Sequence, residues 1–162
     1  MAKRQILTQE DETLRYKAKT VTEFDGKLAC LLDDMIQTMF EAKGVGLAAP
    51  QVGVLKRVAV VSLDGETIYE LVNPVIIKQS GTQIEQEGCL SIPGQSGYVQ
   101  RPKKVTVSAQ NRQGKPVQVS SRDPYLAIAL CHELDHLDGV LYTDKVIHGY
   151  QPKKPAAKRD AE

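Results

Sequence analysis

His132-Glu133-Leu134-Asp135-His136 is the stretch of this chain best suited to chemistry. On a helix, residues four apart stand one turn apart on the same face, so both imidazoles can reach a single metal ion. Glu133 sits beside the first of them, where its carboxylate can take a proton from water without binding the ion. A chance match on a solvated helix is the competing reading. Against it, the chain has only three histidines and two are these, and Leu130, Leu134 and Leu137 flank them as in a buried helix. The remaining histidine, His148, lies past the helix and receives no role.

The third ligand decides the class of site. One protease pattern continues to a Gly and a further His; Gly139 fits it, but Tyr142 stands where that His should be. Another uses a Glu on a later helix, and the last acids, Asp160 and Glu162, lie in a tail rich in Pro and Lys. Cys89, in Glu87-Gly88-Cys89-Leu90-Ser91-Ile92-Pro93, is the better candidate, because the glycine before it lets the backbone approach an ion closely. A buried free thiol is the alternative reading of Cys89. Cys131 is adjacent to His132, but about 100° around a helix from it, and should face the core instead. One Cys and two His with an open fourth position describe a catalytic site, not a closed structural one.

The elements that must hold these residues follow from periodicity. Asp123-Pro124 opens the His-bearing helix, with Asp as cap and Pro at the first position, and Asp138-Gly139 should close it. An earlier helix runs from about Asp25 through Leu28, Leu31, Leu32, Met35, Ile36, Met39 and Phe40. It should end at Gly44 in a left-handed cap, with Cys30 as a small hydrophobe in or beside the core. The next stretch, Gly44 to Gly53, holds three glycines and a proline and reads as a buried, tightly turned segment, not a regular element. From Arg57 to about Ser121 the chain reads as short strands: 58–61, 68–72, 75–77, 105–107 and 117–119. Asp64-Gly65, Asn73-Pro74, Ser80-Gly81 and Gln113-Gly114 separate them as turns. Close spacing predicts antiparallel meanders, hence an α+β fold with antiparallel sheets packed around a central metal-binding helix.

Length and charge set the frame. The chain has 162 residues, which suits one catalytic domain over 1–150, followed by a flexible tail over 151–162. Its 21 Lys and Arg nearly balance 20 Asp and Glu, leaving no global field to draw it onto DNA or an anionic membrane. No apolar run approaches the length of a membrane span or a signal peptide, so the expected location is the cytoplasm. Three cysteines make a poor disulfide framework.

Three stretches then carry a family resemblance. Gly44-Val45-Gly46-Leu47-Ala48-Ala49-Pro50-Gln51, Glu87-Gly88-Cys89-Leu90-Ser91 and His132-Glu133-Leu134-Asp135-His136 resemble, in order and spacing, the three motifs of bacterial peptide deformylases. The likeness extends from about Thr13 to about Asp144. It implies hydrolytic removal of the N-formyl group from the formylmethionine of nascent chains, releasing formate. It implies Cys89, His132 and His136 as metal ligands, with Fe(II) as the metal and Zn, Ni or Co as substitutes. Glu133 matches the general base, and the Gln51 side-chain amide and the Leu90 backbone N–H match the two oxyanion donors. A formylated peptide is expected to add as a strand along Val45 and Gly46, with Leu126 and Ala129 lining the pocket for the methionine side chain.

The resemblance also implies N-formylmethionyl nascent peptides as partners; a transient ribosome contact and a monomer are further expectations, and the balanced charge leaves neither DNA nor membrane as a partner. Two departures qualify the resemblance. Many members carry an Arg shortly after the second motif, whereas Gln95-Ser96-Gly97-Tyr98 has none. Some end in a long basic helix, which residues 147–152 interrupt here, leaving Lys153, Lys154, Lys158 and Arg159 either to touch RNA phosphates or to solubilise the tail. Among secondary groups, Glu87 and Arg101 form either a buried brace for the Cys89 loop or an idle surface pair. Asp135 is read as a partner of a ligand histidine, and Arg112, Lys115 and Arg122 as ordinary surface charges. Two other classes compete with the deformylase: a small metallopeptidase, and a non-catalytic module that keeps a structural metal.

Overall fold

The computed structural model describes residues 2–152; the expected tail beyond Pro152 lies outside them. The run Val58-Ala59-Val60-Val61 forms strand β2 and is buried at every position. Alternate side chains of a strand point to opposite faces, so such a run needs cover on both sides. Helix α1 (Gly26–Glu41) supplies one cover: Leu28, Leu32, Met35 and Met39 pack with Val58 and Val60. Helix α2 (Pro124–Leu137) supplies the other, with Leu126, Leu130 and Leu134 clustered around Val61 and Leu71.

Five strands make the main sheet, in the order β1 (Gly46–Ala48), β2, β3 (Tyr69–Ser80), β6 (Lys104–Gln110) and β7 (Pro116–Ser120), and every pairing is antiparallel. A separate hairpin, β4 (Gln83–Cys89) with β5 (Ile92–Arg101), carries the cysteine motif. The α+β fold with antiparallel sheets around the His-bearing helix is therefore as expected. Among the described residues no helix is long and apolar enough to cross a membrane.

Four local expectations are corrected. The glycine-rich stretch is not irregular throughout: Gly46–Ala48 is a strand and Ala49–Val52 a 3-10 turn. Asn73-Pro74 does not separate two strands. Asn73 takes the left-handed region (φ 51) inside one long strand, its side chain bonding the N–H and C=O of Val21, and the ladder shifts register there. The local bulge absorbs the missing proline donor. Helix α1 ends at Glu41, and the left-handed residue after it is Lys43 (φ 59), not Gly44. Gly44 instead packs closely against the cysteine turn, where a Cβ would lie 2.6 Å from Leu90 Cδ1 and the leucine side chain would have to shift. Cys30 is exposed, not packed in the core.

Arg112 is also more than a surface charge. Its guanidinium bonds both oxygens of Glu70 and Asp33 Oδ1, joining the β6–β7 turn to β3 and α1. The start of α2 is as expected, with the Asp123 carboxylate accepting from the Tyr125 N–H at 2.8 Å. Its last carbonyl, on Leu137, accepts from the Ala18 N–H at 2.8 Å and from Arg57 at 2.9 Å, so the frayed end typical of helices is tied down. Gly139 follows in the left-handed region (φ 75), its Cα facing the backbone carbonyl of Arg15. Gly139→Ala combines backbone strain with a clash against main chain. It should cost about 2–4 kcal/mol, seen in calorimetry as a fall in Tm of about 5–12 °C.

Candidate metal centre

Two elements converge on the site. The β4–β5 hairpin closes tightly, Cys89 pairing with Ile92 after a register shift at Gly88, and this turn presents the thiol. Helix α2 presents His132 and His136 with ring centroids 5.0 Å apart. Cys89, His132 and His136 offer ligand atoms that all lie within 4.8 Å of one another, and Cys89 Sγ is 3.3 Å from His136 Nε2. Cys131, by contrast, is buried in the core cluster between α2 and the main sheet, where burial pushes its thiol up to about 11. Asp160 and Glu162 lie outside the described residues.

A chain of charges braces the centre from behind. His132 Nδ1 lies 3.0 Å from Glu87 Oε1. An N–H at that position donates to the carboxylate and leaves Nε2 for an ion. Arg101 clamps the same carboxylate with bonds of 2.8 and 3.0 Å, and both groups are almost fully buried. Its remaining nitrogen, Nη1, donates to Asp135 Oδ2 at 2.6 Å, and Lys145 meets that oxygen at 3.0 Å near the surface. The buried reading of Glu87 and Arg101 is thus correct. Asp135 reaches the ligands only through Arg101 and Glu87, not by direct contact with a histidine.

The electrostatics call for positive charge. Burial would lower His132, but Cys89 and Glu87 outweigh it and raise the imidazole to about 10. Burial, reinforced by the charge on His132, pushes His136 well below its ordinary value and keeps it a neutral ligand. A site that binds a proton so firmly between a thiol and a carboxylate is one where a divalent cation is welcome in its place. Burial also pushes Glu133 up to about 7, and its Oε1 is a buried oxygen without a partner among the described residues. The donor set of one soft thiolate and two imidazoles suits a transition metal, and the residues present fit one.

The oxygen of Gln51 accepts from the Ala48 N–H at 2.9 Å, so it does cap the buried turn, as a plain structural reading would have it. Its amide nitrogen, though, turns toward the centre, donating to Ser91 Oγ at 3.0 Å and lying 3.6 Å from Cys89 Sγ. A cavity of about 760 Å³ opens in front, bordered by Val45, Gly46, Leu90, Ala129 and Glu133. Leu126 is not among its lining residues: it is buried in the core beneath α2, and Tyr125 and Ile128 line the cavity instead. Counting back from His132 in steps of four and three reaches 128 and 125, the signal that identifies this face. Two groups missed from the sequence are Ser91, beside Gln51, and Tyr142, buried with its ring stacked 6.0 Å from His132. His148 is exposed.

Fold and site together define an α+β protein whose Cys89, His132 and His136 could hold a transition-metal ion. Residues 3–151 match the polypeptide deformylase family. The chain is 56% identical over 147 residues to the peptide deformylase of Alkaliphilus metalliredigens, covering 91% of this chain and 99% of the relative. A peptide deformylase structure from Legionella pneumophila superposes with a TM-score of 0.87 at 44% identity, covering 91% of this chain and 88% of that one. One from Thermotoga maritima gives 0.87 at 38% identity, covering 91% and 99%. The chain belongs to the polypeptide deformylase family and is a metal-dependent hydrolase.

Replacing Arg101 with Met should strand the Glu87 carboxylate beside His132. Metal affinity should fall by about 10–100-fold, measured by competition with a chromophoric chelator. An unchanged affinity would mean that the pair does not brace His132.

Proposed function

We propose that this hydrolase removes the formyl group from the N-terminal formylmethionine of newly made chains, with Cys89, His132 and His136 holding the metal. The observation that carries the reading is the placing of Glu133. Its unpartnered carboxylate oxygen is buried beside the ligand triad, and Gly46 of β1 packs so tightly against it that a Cβ there would lie 2.9 Å from Glu133 Cδ. A peptide lying along β1 therefore brings its first acyl group to the Glu133 carboxylate.

β1 is an edge strand, and its open edge suits an extended peptide. The Val45 carbonyl accepts from Ser62 N–H at 2.8 Å, which turns that residue's hydrogen-bonding groups toward β2. Successive residues alternate, so the N–H and C=O of Gly46 point to the free side and can pair with substrate backbone. Tyr125, Ile128 and Ala129 offer an apolar wall for the methionine side chain.

A divalent metal in the site supplies a Lewis acid and lowers the pKa of water toward neutrality. Glu133 accepts the proton that water loses on attack and passes it to the departing amine. The Gln51 amide and the Leu90 N–H donate to the oxygen that becomes negative, Gln51 being held in place through its own oxygen. Fe(II) is the proposed metal, with Zn, Ni or Co as substitutes, since one thiolate and two imidazoles accept several transition ions. The proposal extends to a monomer working in the cytoplasm on N-formylmethionyl nascent peptides, without DNA or membrane, and in transient contact with the ribosome. It treats 1–150 as one catalytic domain.

Formate release from a formylmethionyl peptide, by protein purified without oxygen and loaded with Fe(II), tests the reading against the unformylated peptide. Release from the first and no cleavage of the second is expected. Cleavage of the unformylated peptide would favour a metallopeptidase, and no reaction with metal bound would favour a non-catalytic module. Glu133→Ala should keep its metal and lose about 10²–10⁴-fold in turnover. Because the base must be ionised, kcat/KM should fall as pH drops through the Glu133 value, which burial pushes up to about 7 and a nearby cation would lower.

A further inference from the structure

β1 fixes the direction of a bound peptide as well as its place. Gly46 lies against Glu133, and the residues after it, Leu47 and Ala48, are fully buried. A chain whose formyl end reaches the ligand triad can leave only past Val45 and Gly44, toward Lys43. Extended chain rises about 3.3 Å per residue, so with the first residue paired to Gly46 the third comes level with Gly44, within reach of the neighbouring Lys43 side chain.

Building on the deformylase reading, we infer that Lys43 makes the enzyme selective for formylated chains with an acidic residue at the third position. Lys43 is exposed, lines the cavity, and has no ion pair among the described residues. Arg4, Arg15, Arg57, Arg101, Arg112 and Lys145 are all paired. The other charged side chains lining the cavity are carboxylates. Glu87 is clamped by Arg101, the Asp123 carboxylate caps α2, and Glu133 lies buried at the floor. Across from β1 the hairpin lines the cavity with Gln86 and Gln95, which are neutral, while its one arginine, Arg101, is buried on Glu87 behind it. Among the described residues, Lys43 is therefore the unpaired cation lining the mouth.

The backbone holds it there. Lys43 adopts the left-handed region (φ 59), which side-chain-bearing residues disfavour. Two bonds lock the turn: Lys43 N–H to the Phe40 carbonyl, and Gly44 N–H to the Met39 carbonyl, each 3.0 Å. The cation is carried on the end of α1, not on a loop free to swing away. An acid at the third position gains an ion pair at the rim, while a lysine there is repelled.

The test compares formyl-Met-Ala-Xaa amides, with Glu, Gln or Lys as the third residue, as substrates for wild type, Lys43→Asn and Lys43→Asp. Asn and Asp tolerate the left-handed backbone, so both variants should fold. In wild type kcat/KM should rank Glu above Gln above Lys, with Glu over Lys by about three- to tenfold at low ionic strength and less in added salt. Lys43→Asn should bring that ratio to about one, and Lys43→Asp should reverse it. A wild-type ratio of one, or a ratio that survives in Lys43→Asn, overturns the selectivity while leaving the deformylase reading intact. Failure to deformylate even the Gln peptide removes both.

Discussion

The carboxylate of Glu87 is the joint on which this site depends. It sits between two elements far apart in sequence, receiving Arg101 from the opposite strand of its own hairpin and His132 from α2. Burial would raise its pKa, yet the bonds from His132 and Arg101 outweigh that and hold it ionised. A buried ion is tolerable only when its lone pairs are satisfied, and here both oxygens are used. The geometry that satisfies Glu87 also fixes Cys89, two residues along the same strand, relative to the His132 imidazole, the other half of the candidate metal set. Positioning the ligands and neutralising the brace are one arrangement, not two.

The rest of the fold serves the same convergence from the other side. β2 is covered by α1 on one face and α2 on the other, so the His-bearing helix is held by the central layer of the molecule. β1 lies at the edge of that sheet and cannot move without disturbing β2, to which Gly46, Leu47 and Ala48 are all paired. Small residues then set the spacing. Gly44 makes room for Leu90, and Gly46 makes room for Glu133, so the chain entering β1, the cysteine turn and the Glu133 carboxylate meet closely. Larger side chains at either glycine would separate elements that must touch.

Much of this was legible in the sequence because it is local. The caps and stripes of both helices, the apolar run of β2 and the His-x-x-x-His spacing depend on neighbours a few residues away, where periodicity is informative. What failed depended on distant partners. Asn73 reads as a turn residue until Val21 is seen to hold it within a strand. Arg112 reads as an idle charge until Glu70 and Asp33 arrive from other elements. Leu126 sits at helical spacing from Ala129, but which side of α2 meets the sheet and which meets the cavity depends on packing. The brace from Glu87 to Arg101 could be suspected, but its burial and its reach to Asp135 and Lys145 are tertiary facts.

The same geometry accounts for the division of labour among the site's titratable groups. His132 is surrounded by groups that favour positive charge on it, His136 by groups that forbid it, and Glu133 by apolar burial that makes its charged form costly. A cation placed among them satisfies the first two at once, because both imidazoles ligate in the neutral form and the field that favoured a proton now acts on the ion. Glu133 differs from Glu87 in that its Oε1 has no hydrogen-bond partner among the described residues. A carboxylate with its lone pairs committed, such as Glu87, is a poor base. One held dry, uncommitted and near neutrality can accept a proton and give it back. Two glutamates buried within one site thus take opposite roles, and the difference lies in whether an arginine reaches them.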